Sequence, residues 1–395
     1  MHFTTQINVS KKKTASQYLE LATAHTNFLV GALAFNPSKP NLRALGNTLR
    51  KIGDVKVNSV NENEDETIVL DYSYDGEVVL DRTGLSYYLL ELPSDIEGVA
   101  KLKKEDFENC SAAGYASEPS VFTQYWTPFN HGCTVKHYSV KASLEPVETK
   151  VTYPDYPRLV KEGVIKIAIL AGKMENTANH NPYTDDAKDE ERDEYLDIVN
   201  HLLDMGFVRT YTKVPADNNT SYEEKLEGTF GKTKMVVTMI FGNSIYWEEG
   251  VSAGNEEFYQ HYLNLVRDSS FILYTGHAGF LVDPDGTRFY TDDAPKLDPN
   301  LYQIVVMNGC QTTNNLLPFF ASKSSLNLDM IVNAKETTTN ESASKSPIDA
   351  MITWAREGVW TSYPDLIKSM DTEKAMLGVD GEQDNPTEPY EVSTK

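Results

Sequence analysis

What the 395-residue sequence lacks narrows it first. No uninterrupted apolar run approaches the roughly 20 residues that a transmembrane helix needs, so no membrane span is expected. The most apolar stretch near the amino terminus, 27–35 (NFLVGALAF), is too short, and no small-residue cleavage site follows it, so no signal peptide is visible. Cysteine is scarce: three residues are too few for a disulfide framework. Cys110 and Cys133 could pair with each other and leave Cys310 odd, either as an inert core thiol or as a reactive one. If the first two pair, the compartment is oxidising, which favours a secreted or periplasmic location over a cytoplasmic one. Positive charge is also short, with 36 basic against 58 acidic residues and a net charge of −22. A field of that sign repels phosphate backbones, so nucleic acid is not an expected partner; it would attract cationic peptides or divalent cations.

What is present divides in two. Hydrophobic content of 40% with 10% aromatic residues suits a globular protein, and the length suits two or three domains. The first part reads as α+β. An amphipathic helix is expected over 15–35, a second over 41–52, and strands over 55–60, 67–80 (a hairpin turning at Asp75-Gly76), 86–92 and 137–144. A proline-rich stretch holding Pro154 and Pro157 marks a boundary near residue 155, giving an accessory or pro-domain over 1–155 and a second domain over 156–395.

Beyond that boundary strands and helices alternate. Apolar strands are expected at 164–170, 208–214, 234–241, 271–275, 303–307 and 329–334. Helices are expected at 189–205, capped by Gly206, and at 256–267 and 347–357. Continuous apolar strands separated by helices imply a mostly parallel sheet covered on both faces, so the fold class is α/β.

In such sheets ligands bind beyond the carboxyl ends of the strands. Two strand ends carry reactive residues. The run FILYT leads into Gly276-His277-Ala278-Gly279, and QIVVM leads into Asn308-Gly309-Cys310. The 33 residues between His277 and Cys310 leave room for a loop and one strand, so the two ends can be neighbours. A thiol with a pKa near 8.5 is only a few per cent thiolate at pH 7, so it needs a base. His277 can take that proton and return it to a leaving amine. An oxyanion needs backbone N–H donors worth about 2.7–4 kcal/mol each. The amides of Ala278, Gly279 and Cys310 are the natural suppliers, since small residues let a carbonyl approach the backbone.

The block strand–Gly-His-x-Gly, followed about thirty residues on by strand–Gly-Cys, resembles the caspase-like cysteine peptidases, a group that includes caspases, metacaspases, legumains, clostripain and gingipains. The segment 274–280 (YTGHAGF) looks most like the bacterial, gingipain-type members. The resemblance covers roughly residues 160–360. It implies a three-layer αβα fold, endopeptidase activity without a metal in the catalytic step, a peptide or protein substrate, and a dyad of His277 and Cys310. The family usually places Gly directly after His, whereas here Ala278 stands before Gly279. Asn308 occupies the place, two before the nucleophile, where caspases carry a pocket-lining glutamine. The first substrate pocket is implied to form from 173–176, 307–309 and 333–336. There Lys173 and Lys335 would suit an acidic side chain and Glu336 a basic one, so no preference follows.

Other polar groups have plainer readings. The acidic run 185–194 reads as a solvated loop and helix first turn, where carboxylates favour the helix dipole. No cofactor is required by the chemistry, although a structural Ca²⁺ could sit there or at Asp283-Pro-Asp285-Gly286. His131, Cys133 and His137 are metal-capable, but their spacing matches no defined zinc pattern. Tyr125, Trp126, Pro128 and Phe129, like Trp354 and Trp360, read as core or turn residues. The alternatives to a peptidase are a catalytically inactive caspase-fold interaction module, or an amidase or transpeptidase using the same dyad. Nothing in the sequence sets an oligomeric state.

Overall fold

Phe3, Thr5, Ile7 and Val9 are buried while the residues between them are exposed, which is the period-2 pattern of a strand with one wet face. The computed structural model describes residues 1–34, 36, 54–63, 67–76, 85–99, 101–112, 123, 126–145, 151–173, 181–184, 190–214, 221–248, 251–254, 256–277, 297–309, 312, 323, 325–333, 341–370 and 377–390. These fall into two compact units, Met1–Glu148 and Thr149–Lys395, a division seven residues before the one expected. The chain is mixed α/β with two principal sheets, one of them largely parallel.

In unit 1 the strands β1 (His2–Val9), β2 (Asp54–Glu62), β3 (Ile68–Asp75), β4 (Tyr87–Pro93) and β5 (His137–Ser143) form an antiparallel sheet in the order β2-β3-β1-β5-β4. β1 pairs with β3 along its whole length, from His2↔Asp75 to Val9↔Ile68. The hairpin expected to turn at Asp75-Gly76 is different. β3 ends there and takes β1 and β2 as neighbours, while 77–80 lie outside the described residues. β1 itself was not expected, because a polar residue, Thr5, stands on its buried face and interrupts the apolar half of the alternation.

Helix α1 (Ala15–Thr26) starts at a capping box, Thr14 accepting from the Gln17 amide and the Gln17 side chain accepting from the Thr14 amide. It stops at Asn27, and α2 (Leu29–Ala34) follows, so the single helix expected over 15–35 is two. Short helices α3 (Ile96–Val99) and α4 (Lys104–Asn109) complete the unit's described helices; the helix expected over 41–52 lies outside the described residues. Cys110 and Cys133 form a disulfide. His25 is buried, its Nε2 donating to the Pro93 carbonyl at 2.8 Å while Nδ1 accepts from the Tyr72 hydroxyl at 2.6 Å. Burial lowers its pKa to about 4, so the ring is neutral and ties α1 to the sheet.

Unit 2 opens with α5 (Tyr156–Leu159) and β6 (Val164–Lys173). Helix α6 (Glu190–Asp204) ends where Gly206 adopts φ +102 and its amide donates to the Leu203 carbonyl, the glycine stop expected there. Then come β7 (Val208–Lys213), β8 (Tyr222–Phe230), β9 (Thr233–Asn243), the small hairpin β10 (Ile245–Glu248) with β11 (Val251–Gly254), and α7 (Glu256–Asp268). β12 (Phe271–Gly276), β13 (Gln303–Asn308), β14 (Leu328–Asn333), α8 (Glu341–Glu357), α9 (Tyr363–Met370) and β15 (Leu377–Asp380) follow. Helix α8 begins six residues before the expected Pro347 start, so the proline lies inside it rather than at its first turn. β8, β10, β11, α9 and β15 were not expected.

The sheet order is β15-β14-β13-β12-β6-β9-β8-β7. β6, β9, β12, β13 and β14 are parallel, while β7, β8 and β15 pair antiparallel with their neighbours. Odd-numbered residues of β6, Ile165 to Ala171, pack with Tyr195, Ile198, Val199 and Leu202 of α6 and with residues of α8 and α9. On the opposite face Phe258 and Tyr262 of α7 meet Tyr274 edge-on. Alternation along the strands thus puts helices on both faces. From β6 the chain crosses to the edge strand β7, returns through β8 to β9 beside β6, and then passes to β12 on the other side, so the strand order reverses between β6 and β12. In open α/β sheets, a crevice for ligands forms outside the carboxyl ends at such a switch point.

Candidate active site

β12 lies between β6 and β13 in parallel register: Gly276↔Gly172 on one side, Thr275↔Asn308 on the other. Adjacent strands are about 4.8 Å apart. His277 follows two residues after Thr275, and Cys310 stands two residues after Asn308 in the chain. Cys310, Ala278, Gly279, Lys335 and Glu336 lie outside the described residues. With Cys110 and Cys133 joined, Cys310 is the one remaining cysteine of the three.

The turn out of β12 has a physical cause. Gly276 has φ +134, a conformation that side chains strain to adopt, and a Cβ there would meet the Gly172 carbonyl oxygen at 2.5 Å. Gly172 is hemmed in likewise, since a Cβ on it would lie 2.6 Å from Ser244 Cβ and 2.7 Å from Tyr274 Oη. The Tyr274 hydroxyl reaches forward and donates to the His277 carbonyl at 2.6 Å. The backbone leading to His277 is thus clamped from β6 and from its own strand. The imidazole is partly buried, and burial lowers its pKa, which keeps it neutral and able to accept a proton at pH 7.

On the face turned to α6 and α8, buried polar side chains gather at the strand ends. Lys173, at the end of β6, is fully buried, with its ammonium 5.8 Å from the Phe241 ring centroid and its carbonyl accepting from the Ser244 amide at 3.1 Å. Glu194 of α6 is 3% exposed. Its carboxylate accepts from Thr275 Oγ1 at 2.6 Å, from Asn308 Nδ2 at 3.3 Å and from the Ser344 hydroxyl of α8. Asn333, at the end of β14, donates to the Gly309 carbonyl at 3.0 Å, and its own amide donates to Thr312 Oγ1 at 2.8 Å. Asn308, expected in the substrate pocket, has its side chain inside this layer and buried. The acidic run ending at Glu194 was expected to be solvated. Instead Glu191 and Glu194 are buried on the helix stripe that continues through Tyr195, Ile198 and Leu202, while 185–189 lie outside the described residues. The signal available in the sequence was that i, i+3, i+4 spacing, which runs on into the two glutamates.

Two other clusters lie in the same unit. Ser221 donates to Glu257 at 2.7 Å, and His261 lies 2.8 Å from the other oxygen of that carboxylate. The carboxylate stands between serine and imidazole, so the histidine cannot act as the serine's base. Asp329 is fully buried and accepts from the Tyr302 hydroxyl, the Tyr363 hydroxyl at 2.5 Å and Asn385 at 2.6 Å. Burial outweighs these donors and pushes its carboxyl up to about 6. A concavity lined by Lys161, Lys166, Arg267 and Asp298 lies at the amino ends of the strands, the wrong end for the reactive residues of β12 and β13.

No group of His, Cys, Asp or Glu among the described residues is arranged to hold a metal ion. Zinc at His131, Cys133 and His137 is ruled out, because the Cys133 sulfur is bonded to Cys110. The Asp283–Gly286 segment lies outside the described residues. Trp126 is fully buried and donates to the Glu91 carbonyl at 2.7 Å, a core role as expected, whereas Phe129 is exposed. Among the described residues no helix is long and apolar enough to cross a membrane. No protein-family model, curated protein or solved structure matches the chain.

Proposed function

We propose that unit 2 is a cysteine endopeptidase of the caspase-like kind, in which His277 deprotonates Cys310 for attack on a peptide carbonyl. The observation that carries the reading is the register Thr275↔Asn308 between adjacent parallel strands, which aligns the two strand ends that lead to His277 and to Cys310 beside the switch point of the sheet. The tetrahedral oxyanion would be held by the backbone amides of Ala278, Gly279 and Cys310. A thioester forms as the amine leaves with the proton from His277, and water, deprotonated by the same imidazole, then releases the acid.

Two further observations support the reading. Burial holds His277 in its neutral form, the form a general base needs. The buried polar layer under the strand ends is costly to build and pre-organises one edge of the sheet, as a site requires. The Cys110–Cys133 disulfide supports an oxidising compartment. Of the 22 net negative charges, 17 belong to residues 149–395, a field that draws cationic peptides to this unit.

The test is turnover of a peptide library by the full chain. Cleavage by the wild type that is lost in Cys310→Ala, with an unchanged circular dichroism spectrum, would establish the peptidase. A library left intact by the wild type would refute it, and cutting of cell-wall fragments instead would assign the dyad to amidase chemistry.

A further inference from the structure

One carboxylate bonds both strands of the proposed dyad. Glu194 accepts from Thr275, two residues before His277, at 2.6 Å and from Asn308, two residues before Cys310, at 3.3 Å. The same carboxylate accepts from Ser344, which belongs to a second helix. Asn308 also reaches Thr275 Oγ1 and Ser344 Oγ, at 3.5 and 3.3 Å, and Asn333 approaches Asn308 Oδ1 at 3.5 Å, so the network runs on to the end of β14.

We infer that Glu194 is a positioning residue that fixes the ends of β12 and β13 relative to each other, and with them His277 and Cys310; this rests on the peptidase reading above. The physical case is one of cost. Burying an ionised carboxylate is expensive unless donors surround it, and an apolar side chain would fill the same volume more cheaply. A carboxylate accepts along several directions at once, so a single group can hold a hydroxyl on one strand, an amide on the next and a hydroxyl on a helix. Backbone pairing between β12 and β13 ends at Thr275↔Asn308. Beyond that pair no backbone register joins the two strands, and side-chain ties are what remain to set the separation of their ends. Proton transfer from sulfur to imidazole falls off steeply with misplacement, and errors near 1 Å can cost about 100-fold in rate.

The test uses the full chain and variants of Thr275, since Val is nearly isosteric and removes only the hydroxyl tie. Two readouts are taken. Amide hydrogen exchange at 308–309, on the neighbouring strand, reports the tie without reference to activity. Steady-state cleavage of a library-derived peptide reports its consequence. Thr275→Val is expected to speed exchange at 308–309 about tenfold and lower kcat about tenfold, with KM within twofold. Thr275→Ser, which keeps the hydroxyl, is expected to restore both to within threefold. Glu194→Gln keeps an oxygen toward Asn308 and is expected to fall between wild type and Glu194→Ala. Wild-type exchange at 308–309 in Thr275→Val would overturn the tie, and faster exchange with unchanged kcat would overturn the positioning role. A wild-type chain that cleaves nothing would overturn the peptidase reading and the positioning role with it, while the exchange data would still decide whether the tie exists.

Discussion

Along β1 and β3 of unit 1, Thr4, Gln6, Asn8, Asp71 and Ser73 alternate with buried residues and face water. In unit 2 the strands β12 and β13 are apolar from Phe271 to Leu273 and from Ile304 to Met307, and two polar residues, Thr275 and Asn308, are buried at their carboxyl ends. The first arrangement costs little, because each polar group keeps its water. It leaves a core on one side only, and a disulfide and a buried imidazole add to the hold. The second is costly, and at the carboxyl edge of the unit 2 sheet its members come from several elements. Buried polar groups also occur at His25, Glu224 and Asp329; what distinguishes the carboxyl ends of β12 and β13 is that a single carboxylate, Glu194, ties the two adjacent strands there.

The largest expected effect comes from the edge itself. Gly276→Ala would place a methyl against the Gly172 carbonyl in a left-handed conformation, costing about 4 kcal/mol of unit 2 stability and about 100-fold in turnover. Urea melts and peptide kinetics would check both, and a variant with wild-type stability and activity would break the comparison. Next is the staple of unit 1. Replacing Cys110 and Cys133 together by Ala opens a loop closed across a separation of 23 residues and should cost unit 1 about 3 kcal/mol, leaving unit 2 untouched. Hydrogen exchange resolved by unit would show whether the loss is so confined.

Acid sharpens the contrast through sign. His25 has a folded pKa of about 4 against 6.5 when unfolded, so between those values the unfolded chain binds more protons and unit 1 loses stability as pH falls. Asp329 has a folded pKa of about 6 against 3.8, so between those values the folded chain binds more protons and unit 2 loses stability as pH rises. Each is worth roughly 3 kcal/mol when its window is crossed. His25→Asn should flatten the first slope and Asp329→Asn the second, read from denaturation midpoints between pH 4 and 6.5. The smallest effect is Thr14→Ala, which removes one half of a capping box and should cost unit 1 about 1 kcal/mol.

How much of this was legible in the sequence depends on what each segment had to bury. Runs such as VIKIAIL and QIVVM are apolar because both faces of their strands are covered, and they were readable as central strands of a parallel sheet. Gly206 announced the end of α6 because no other residue takes its φ as readily. β1 and β8 were missed for a shared reason: polar residues, Thr5 and Glu224 among them, stand where the period-2 pattern calls for apolar ones. In β8 one of those, Glu224, points inward, where Tyr195 at 2.6 Å and Arg209 at 2.5 Å offset its burial. That compensation is tertiary and leaves no local trace. Glu194 was hidden in the same way, inside an acidic run whose charge spoke for water. His277 and Cys310 could be proposed because glycine, a reactive side chain and the end of an apolar run coincide in sequence. The network at the carboxyl ends of their strands could not, since its members come from α6, β12, β13, β14 and α8.

The proposed peptidase chemistry depends on activation of the Cys310 thiol by His277. Its most direct measurement is the rate of iodoacetamide alkylation of Cys310 at pH 6, without reductant, in the folded chain and in the urea-unfolded chain. An unperturbed thiol is almost wholly protonated at that pH. Activation predicts that the folded chain reacts at least about tenfold faster. Equal or slower labelling in the folded chain would contradict it.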